Sequence, residues 1–458
     1  MLNMKLKTVF LLFCFYMGSY GQIFDVNYPW LTDIREPLVW NNVYSSPRTM
    51  GLSGAVSALA KDMDASFYNP ALYGTVQRSR VFLNIARYNQ KMDLDYFGNS
   101  SSNDISKSTI SSFGMIYSYP VYRGSASFAF GYVKLKDFSS TAEFSGYTTG
   151  FQRQQSRLWE ENREERRGGL SAFTIASAFQ YAKDVYLGGS INFLSGENDY
   201  ELSIFREDRD FAYHQNDFFY DRRFKTDSDI SGVNFNLGLI YQINQNFRFS
   251  FDFQSPSWLA IDEESERYYN AEDDSMYYYE TVDGWDEAVW IQDKYEYDLT
   301  LPMNLTFGVG YKNENISLGV DWTFLDYAQL DYSKSPFQGF DESRVIKKIY
   351  ESGYRISGGL EFFVPGSMLV LRGGSSFETI PYKFGREAYI NERDEMEFSD
   401  LKERENKISF SAGLGIYLDQ SIILDAGFQS ESYLYEENLL KEDFSRYSFV
   451  VGLTFRLR

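Results

Sequence analysis

Much of this chain alternates apolar and polar residues with a period of two. Near the C-terminus Tyr447, Phe449, Val451, Leu453, Phe455 and Leu457 share one face, and Ser448, Val450, Gly452, Thr454 and Arg456 share the other. Met303, Leu305, Phe307, Val309 and Tyr311 alternate in the same way with Asn304, Thr306, Gly308 and Gly310. So do Phe247, Phe249, Phe251 and Phe253 with Arg248, Ser250, Asp252 and Gln254. Period two with one apolar face predicts a half-buried antiparallel strand, and about fourteen such segments follow one another. The apolar face carries large aromatic and aliphatic side chains, while the other is small and hydrophilic. That asymmetry predicts an all-β transmembrane antiparallel barrel, lipid outside and a polar lumen inside.

The connections between segments alternate short and long. Turn formers cluster at Pro120 to Gly124, Ala182 to Val185, Asn244 to Asn246, Lys312 to Asn315, Val364 to Ser367 and Leu418 to Ser421. Long polar stretches separate them: Gln90 to Ser108, Ser139 to Gly168, Asp199 to Asp227, Asp262 to Asp298, Asp331 to Lys347, Ile380 to Glu405 and Glu436 to Ser445. Periplasmic turns and extracellular loops produce this order in a bacterial outer-membrane barrel. A soluble sandwich also supplies many strands, but it has no reason to gather every short turn at one end.

The N-terminus adds a compartment. Lys5 and Lys7 precede an apolar run from Val9 to Met17, and Ser19 and Gly21 are small residues before a cut expected at Gln22. The run is too short to span a bilayer as a helix. Phe13 stands before the single cysteine, Cys14, where a lipoprotein signal needs a small residue. The mature chain would then have no thiol, which suits an oxidising envelope compartment. Residues 1–21 are thus read as a signal peptide, 22–77 as a lead-in and a plug, and 78–458 as the barrel. A mean hydropathy of -0.39 does not argue against a barrel, because only alternate strand residues meet lipid. With 37 Tyr and 40 Phe among 458 residues, the chain has aromatics to spare for interfacial girdles. The formal charge of -20 becomes -22 once Lys5 and Lys7 are removed, which disfavours nucleic acid as a partner.

One segment is not strand-like: Pro47-Arg48-Thr49-Met50-Gly51-Leu52-Ser53-Gly54-Ala55, continuing through Asp62 to Ala65-Ser66-Phe67-Tyr68-Asn69-Pro70-Ala71-Leu72. Its Gly and Ala residues allow close packing in a confined lumen, and Asn69-Pro70 forces a turn. Met-Gly, Gly-Ala, a spaced Asp and then Asn-Pro-Ala resemble the hatch of the long-chain fatty-acid transporter (FadL) family of outer-membrane proteins. Leu301-Pro302, the Asp321-Trp322 strand and the closing strand extend the resemblance over nearly the whole mature chain. It implies a monomeric barrel closed by an N-terminal hatch, and passive uptake of hydrophobic molecules such as long-chain fatty acids. Met50, Gly51, Gly54, Ala55, Asp62, Asn69, Pro70 and Ala71 would form the hatch and ligand path. The family also implies a kinked third strand that opens the wall sideways. Here that strand, Gly124 to Phe138, has no proline and only Gly131 as an interior weak point. The lead-in from Gln22 to about Ser46 is longer than the family's usual N-terminus, and the chain ends in Arg458 rather than an aromatic. Other family members receive cargo proteins as shuttles or anchors of a secretion system, and that is the alternative function.

Candidate chemistry is sparse. The single histidine, His214, lies in a long loop near Asp210, Asp217 and Asp221, and loop histidines without a second His or Cys are usually solvated. No catalytic residue, metal site or cofactor is expected, and the chain is read as not an enzyme. Asp262-Glu263-Glu264, Glu272-Asp273-Asp274 and Glu392 to Glu397 match no defined calcium loop and read as solvated faces beside lipopolysaccharide. Opposite charges between Arg153 and Arg167 suggest a short exposed helix. Tyr277, Tyr278, Tyr279, Trp285 and Trp290 offer either a capture site for an apolar ligand or a loop's own core. Alternation points Asp252, Asp321, Arg355, Glu361, Asp425 and Arg456 into the lumen, where they would anchor the plug.

Overall fold

The computed structural model describes residues 44–147, 158–210, 219–271, 289–333, 346–347, 350–383, 388–390, 396–398, 401–437 and 440–457. One antiparallel sheet closes on itself into a barrel of 14 strands. β1 (Arg80–Tyr96) pairs on one side with β2 (Asn99–Tyr119) and on the other with β20 (Leu440–Arg456), from Arg80↔Arg456 to Tyr96↔Leu440. Closure leaves the seam without a free edge, as a bilayer requires. Several strands run as two segments: β3 (Ala126–Asp137) and β4 (Ser140–Tyr147), β8 (Phe247–Gln254) and β9 (Ser257–Ala271), β10 (Val289–Leu301) and β11 (Asn304–Lys312), β12 (Ile316–Asp326) and β13 (Asp331–Ser333). β5 (Trp159–Ala182), β6 (Val185–Glu207), β7 (Phe219–Gln242), β14 (Ser352–Phe363), β15 (Leu369–Glu378), β18 (Leu401–Tyr417) and β19 (Ile422–Glu437) complete the wall. A small separate hairpin is formed by β16 (Ala388–Ile390) and β17 (Met396–Phe398). Among the described residues no helix is long and apolar enough to cross a membrane.

The period-two reading holds in register. Phe307, Trp322 and Phe449 are exposed on the outer face, and Phe428 packs there with its ring centroid 4.9 Å from that of Phe449. Asp321, Gln429 and Ser448 are buried on the inner face, and Asn304 donates from Nδ2 to Gln254 at 3.0 Å. All six predicted short turns join strands at one end of the barrel.

The other end differs from expectation. Gln90 to Ser108 is a hairpin rather than a loop, because Phe97 and Gly98 take positive φ (50° and 80°) and turn β1 directly into β2. Arg153 to Arg167 does not make a helix where it is described: Trp159 to Arg167 form the far half of β5, with Arg167 and Glu165 paired along the strand. Helical charge spacing misled here because alternating Glu and Arg also suits a strand with one wet face. β5, β6 and β7 have 24, 23 and 24 residues, about twice the 9–11 that cross a bilayer. On β5 the large exposed apolar residues stop at Phe173, and the twelve or so positions beyond form a charged rim above the lipid band.

Candidate functional site: a clamped hatch beneath an apolar cluster and an ionic group

Residues 44–76 fill the lumen at the short-turn end. Ser46 caps a helix over Pro47–Gly51, accepting from Thr49 N, and Pro47 suits the first turn. Asn69 opens a 3-10 helix over Pro70–Thr75; its Oδ1 accepts from Ala71 N at 3.0 Å, while Nδ2 donates to the wall carbonyls of Leu239 and Phe251. Met50, Gly51, Gly54, Ala55, Asn69, Pro70 and Ala71 are all buried, and Asp62 is half-buried. The fit to the wall is at backbone distance: a Cβ added at Gly319 would stand 2.3 Å from Ala55 O, and at Gly188 2.5 Å from Ala71 N. Gly54 has φ of +79°, and a side chain there would meet the rings of Tyr44 and Tyr68.

Two ionic devices hold the hatch. Asp321 Oδ2 accepts from Val56 N and Ser57 N, both at 2.8 Å, and Oδ1 accepts from Ser57 Oγ at 2.6 Å. Successive backbone N–H groups converging on a carboxylate form an anion nest. On the neighbouring wall Arg48 makes a bidentate pair with Glu361 (2.9 and 3.0 Å) and donates from Nη1 to Leu59 O. Glu361 also accepts from Arg372, which reaches on to Asp425 at 2.7 Å. Removing one partner of such a buried pair typically costs about 3–5 kcal/mol. Two of the predicted lumen charges, Asp321 and Glu361, thus bond the hatch directly, while Asp425 pairs with Arg372 on the wall and the buried Asp252 accepts from Asn236. Within the hatch, burial and the neighbouring Asp62 push the Asp64 carboxyl up to about 7, and burial raises Asp62 as well. Ser45 Oγ donates to Asp64 and Ser46 Oγ to Asp62.

Above the hatch, toward the long-strand end, the inward side chains form two unlike groups. One is apolar: Leu194 on β6, Ile230 on β7, Leu259 and Ile261 on β9 and Leu299 on β10 pack with Phe138 and residues between 327 and 350. The other is ionic and was missed in the sequence apart from Arg355. Lys136, Arg355, Lys407 and Arg446 meet Glu378 and Glu431 there. Lys407 stands 3.6 Å from Glu378, and Arg446 donates to Glu431 at 2.6 Å. Among the described residues Arg355 Nε finds no hydrogen-bond partner, and the guanidinium faces Tyr68 and Tyr44. The signal for these charges existed, since each sits at an inward strand position just outside the stretches read as loops, but the alternation was not followed to these strand ends. His214, Tyr277, Tyr278, Tyr279 and Trp285 lie outside the described residues, and Trp290 is known only as a position in β10.

The third strand does break, but not at Gly131. Gly131 sits inside the β2–β3 ladder, opposite Gly114. The break falls at Phe138–Ser139, opposite Gly168 and Gly169, which take positive φ, with a register shift at Lys134/Lys136. The β2–β3 ladder runs only from Ser112↔Val133 to Tyr119↔Ala126. Beyond it, β2 and β4 are bridged by side chains: Ser101 and Asn103 reach the Glu143 backbone, and Lys107 Nζ spans to Ser139 Oγ at 2.8 Å. Phe138, at the break, belongs to the apolar cluster. Among the described residues β2 and β4 share no backbone ladder, so this seam adjoins that cluster.

The family model described as BamG matches residues 42–457. Among curated proteins nothing matches. Among solved structures, a Pseudomonas aeruginosa FadL homologue is 12% identical with a TM-score of 0.57, covering 91% of this chain and 100% of that one. The P. putida toluene transporter TodX is also 12% identical, with a TM-score of 0.58 over 90% of this chain and 98% of its own. The CymD monoaromatic hydrocarbon channel gives 12%, 0.54, 92% and 98% in the same order. At this identity the likeness establishes the fold.

Proposed function

The chain belongs to the BamG family, and from that premise we propose that it is an outer-membrane channel admitting hydrophobic molecules from the cell exterior. Its structural neighbours include a toluene transporter and a monoaromatic hydrocarbon channel. In this chain the observation that carries the reading is an apolar cluster beside a group of inward charges, both directly above a clamped hatch. That pairing suits an apolar tail with an anionic head, such as a long-chain fatty acid, better than a neutral hydrocarbon. Arg355, with its unpartnered Nε, is the group to hold the head. The aromatic run Tyr277 to Trp290 would make first contact with the ligand. Because the hatch seals the short-turn end, release is sideways through the β2–β4 seam.

The test is binding of palmitate and of toluene to the purified barrel, with Arg355→Met as the variant. We expect palmitate to bind more tightly than toluene and to lose about tenfold in Arg355→Met, roughly one charge-assisted hydrogen bond. Absence of palmitate binding to the unmodified barrel refutes the reading. The charged rim of β5–β7 supports a second reading, in which the barrel receives a protein at the cell surface. Co-purified protein that is lost when the rim is shortened would favour it.

A further inference from the structure

We propose that the underside of the hatch is a docking site for an acidic peptide segment, presented by a partner protein at the short-turn end of the barrel. Five cationic side chains gather there. Lys61 comes from the hatch, Arg80 opens β1, Arg456 closes β20, Arg248 lies near the start of β8 and Lys312 ends β11. The four wall residues take inward positions. Arg80 is only 9% exposed and shares a face with the buried Phe82, and Arg456 stands directly opposite it across the closing seam. Arg248 shares a face with Ser250 and Asp252, and Lys312 with Gly308 and Gly310. The hatch covers the inward positions beside them: a Cβ at Gly310 would stand 2.8 Å from Ala58 Cβ, and one at Gly452 2.9 Å from Pro47 Cγ. Lys61 bridges the group, since it feels Lys312, Arg48, Arg80 and Arg248 together and faces Lys312 side chain to side chain. Burial and these neighbours push the Lys61 ammonium well down from its ordinary value.

Carboxylates of the chain do not neutralise the five. Arg48 is taken by Glu361, which also holds Arg372, and Arg372 reaches on to Asp425. Asp62 bears on Arg80 from within the hatch but accepts its hydrogen bond from Ser46. Among the described residues Lys61, Arg80, Arg248, Lys312 and Arg456 make no ion pair. Arg80 donates from Nη1 to Lys61 O at 3.2 Å, while its buried Nε finds no partner. Arg456 Nε is unpartnered too, with its guanidinium over the Tyr417 ring, and Lys312 Nζ lies 6.0 Å from the ring centroid of Phe363. Like charges gathered without acids repel one another, and a bound polyanion turns that repulsion into attraction.

The layout selects the kind of anion. Arg80 and Arg456 belong to the β1–β20 seam, whereas Arg248 and Lys312 lie on β8 and β11, about half the wall away in pairing order. An extended peptide meets both arcs and Lys61 between them, because carboxylates on alternate residues recur about every 7 Å. One small ion would leave most of the cations unmatched. Inward side chains also favour a slender segment over a lipid headgroup, and guanidinium and ammonium groups both bond carboxylates strongly. Lys61, Arg248 and Lys312 are half-buried, so each keeps a face open to an incoming chain. The site stands on the cluster itself; that its partner is periplasmic rests on the outer-membrane orientation proposed above.

The test is fluorescence anisotropy of a labelled hexaglutamate peptide with the purified full-length barrel, with hexalysine as its opposite. The formal charge of -20 opposes non-specific uptake of an acidic peptide, so binding reports this cluster. Hexaglutamate should bind and hexalysine should not. The double variant Arg248→Gln/Lys312→Gln should lose at least about tenfold in affinity, the effect of one charge-assisted hydrogen bond. Lys61→Gln, in the hatch rather than the wall, should weaken binding in the same direction, and Lys294→Gln on the outer face of β10 should leave it unchanged. Heat-dependent gel mobility checks that each barrel is folded. No hexaglutamate binding at low salt, or binding that Lys61→Gln and the double variant both leave intact, overturns the proposal. Displacement of the labelled peptide by inorganic phosphate at lower concentration than by unlabelled hexaglutamate also overturns it and assigns the cluster to a phosphate ligand. Palmitate binding is measured separately at Arg355, so the two readings fail independently.

Discussion

Asp321→Ala tests whether the hatch is held by the wall or merely lodged in it. The carboxylate accepts three hydrogen bonds from the hatch, and all the atoms involved are buried. Ser57 Oγ keeps a partner after truncation, because it stands 2.7 Å from Ser250 Oγ. The Val56 N–H also keeps a partner, Gly54 O at 2.9 Å, so the Ser57 N–H is the donor that is orphaned. Orphaning a buried donor costs about 1–3 kcal/mol of hatch docking. That range shifts the docked equilibrium by roughly 5-fold to 150-fold. Asp321→Asn retains a carbonyl oxygen for the two N–H groups and an amide that Ser57 Oγ can accept, so it should keep most of the docking energy. The wall itself should survive, since Asp321 is held in β12 by backbone pairing to Gly308 and Ser357. The assay is swelling of liposomes in arabinose, with heat-dependent gel mobility as the check on barrel integrity. We expect clear leakage for Asp321→Ala, little for Asp321→Asn, and native mobility for both. A folded Asp321→Ala barrel as tight as the unmodified one would refute the anchoring role.

Arg48→Met removes the bidentate clamp but leaves Glu361 with Arg372, so hatch docking should weaken by about 3 kcal/mol and leakage should follow, read in the same assay. Bridging Lys107→Cys to Ser139→Cys with a bifunctional thiol reagent should stop sideways release into lipid while palmitate binding inside the barrel persists; unaffected release would place the exit elsewhere. Single cysteines at Phe307, Trp322, Phe428 and Phe449 should react with a lipid-soluble maleimide, and those at Asn304, Gln429 and Ser448 should be refractory to it; mixed labelling within one strand would break the register. Asp64 is raised from 3.8 to about 7 in the folded state, so its protonated form favours folding, and that contribution is complete below about 4 and lost as pH rises through 7. The thermal midpoint of the barrel should therefore fall between pH 4 and 8 through this group, and Asp64→Asn should flatten that slope; an identical slope in the variant would remove Asp64 as the cause.

The barrel class, the six short turns, the face each strand residue takes and the identity of the hatch were all legible in the sequence. Each depends on local rules: a period of two, turn formers, and a Gly/Ala-rich stretch ending in Asn-Pro-Ala. Alternation alone placed Asp252, Asp321, Arg355, Glu361 and Asp425 inside, because the pleat puts every second residue on one face. What that pattern cannot carry is which inward residues meet. Arg48 and Glu361 are 313 positions apart, and only closure of the sheet brings them within 2.9 Å. The apolar cluster above the hatch likewise joins Phe138 to Tyr435, and the ionic group beside it draws on β3, β14, β15, β18, β19 and β20. Strand ends were misread for the same reason: polar residues on both faces look like a loop until a neighbouring strand supplies the hydrogen bonds that make them a rim. The break in the third strand is likewise a property of its neighbours, since Phe138 and Ser139 carry no breaker of their own and part from β2 opposite Gly168 and Gly169. Period and turn chemistry are written in adjacent residues, whereas contacts across a closed barrel exist only once the last strand has paired with the first.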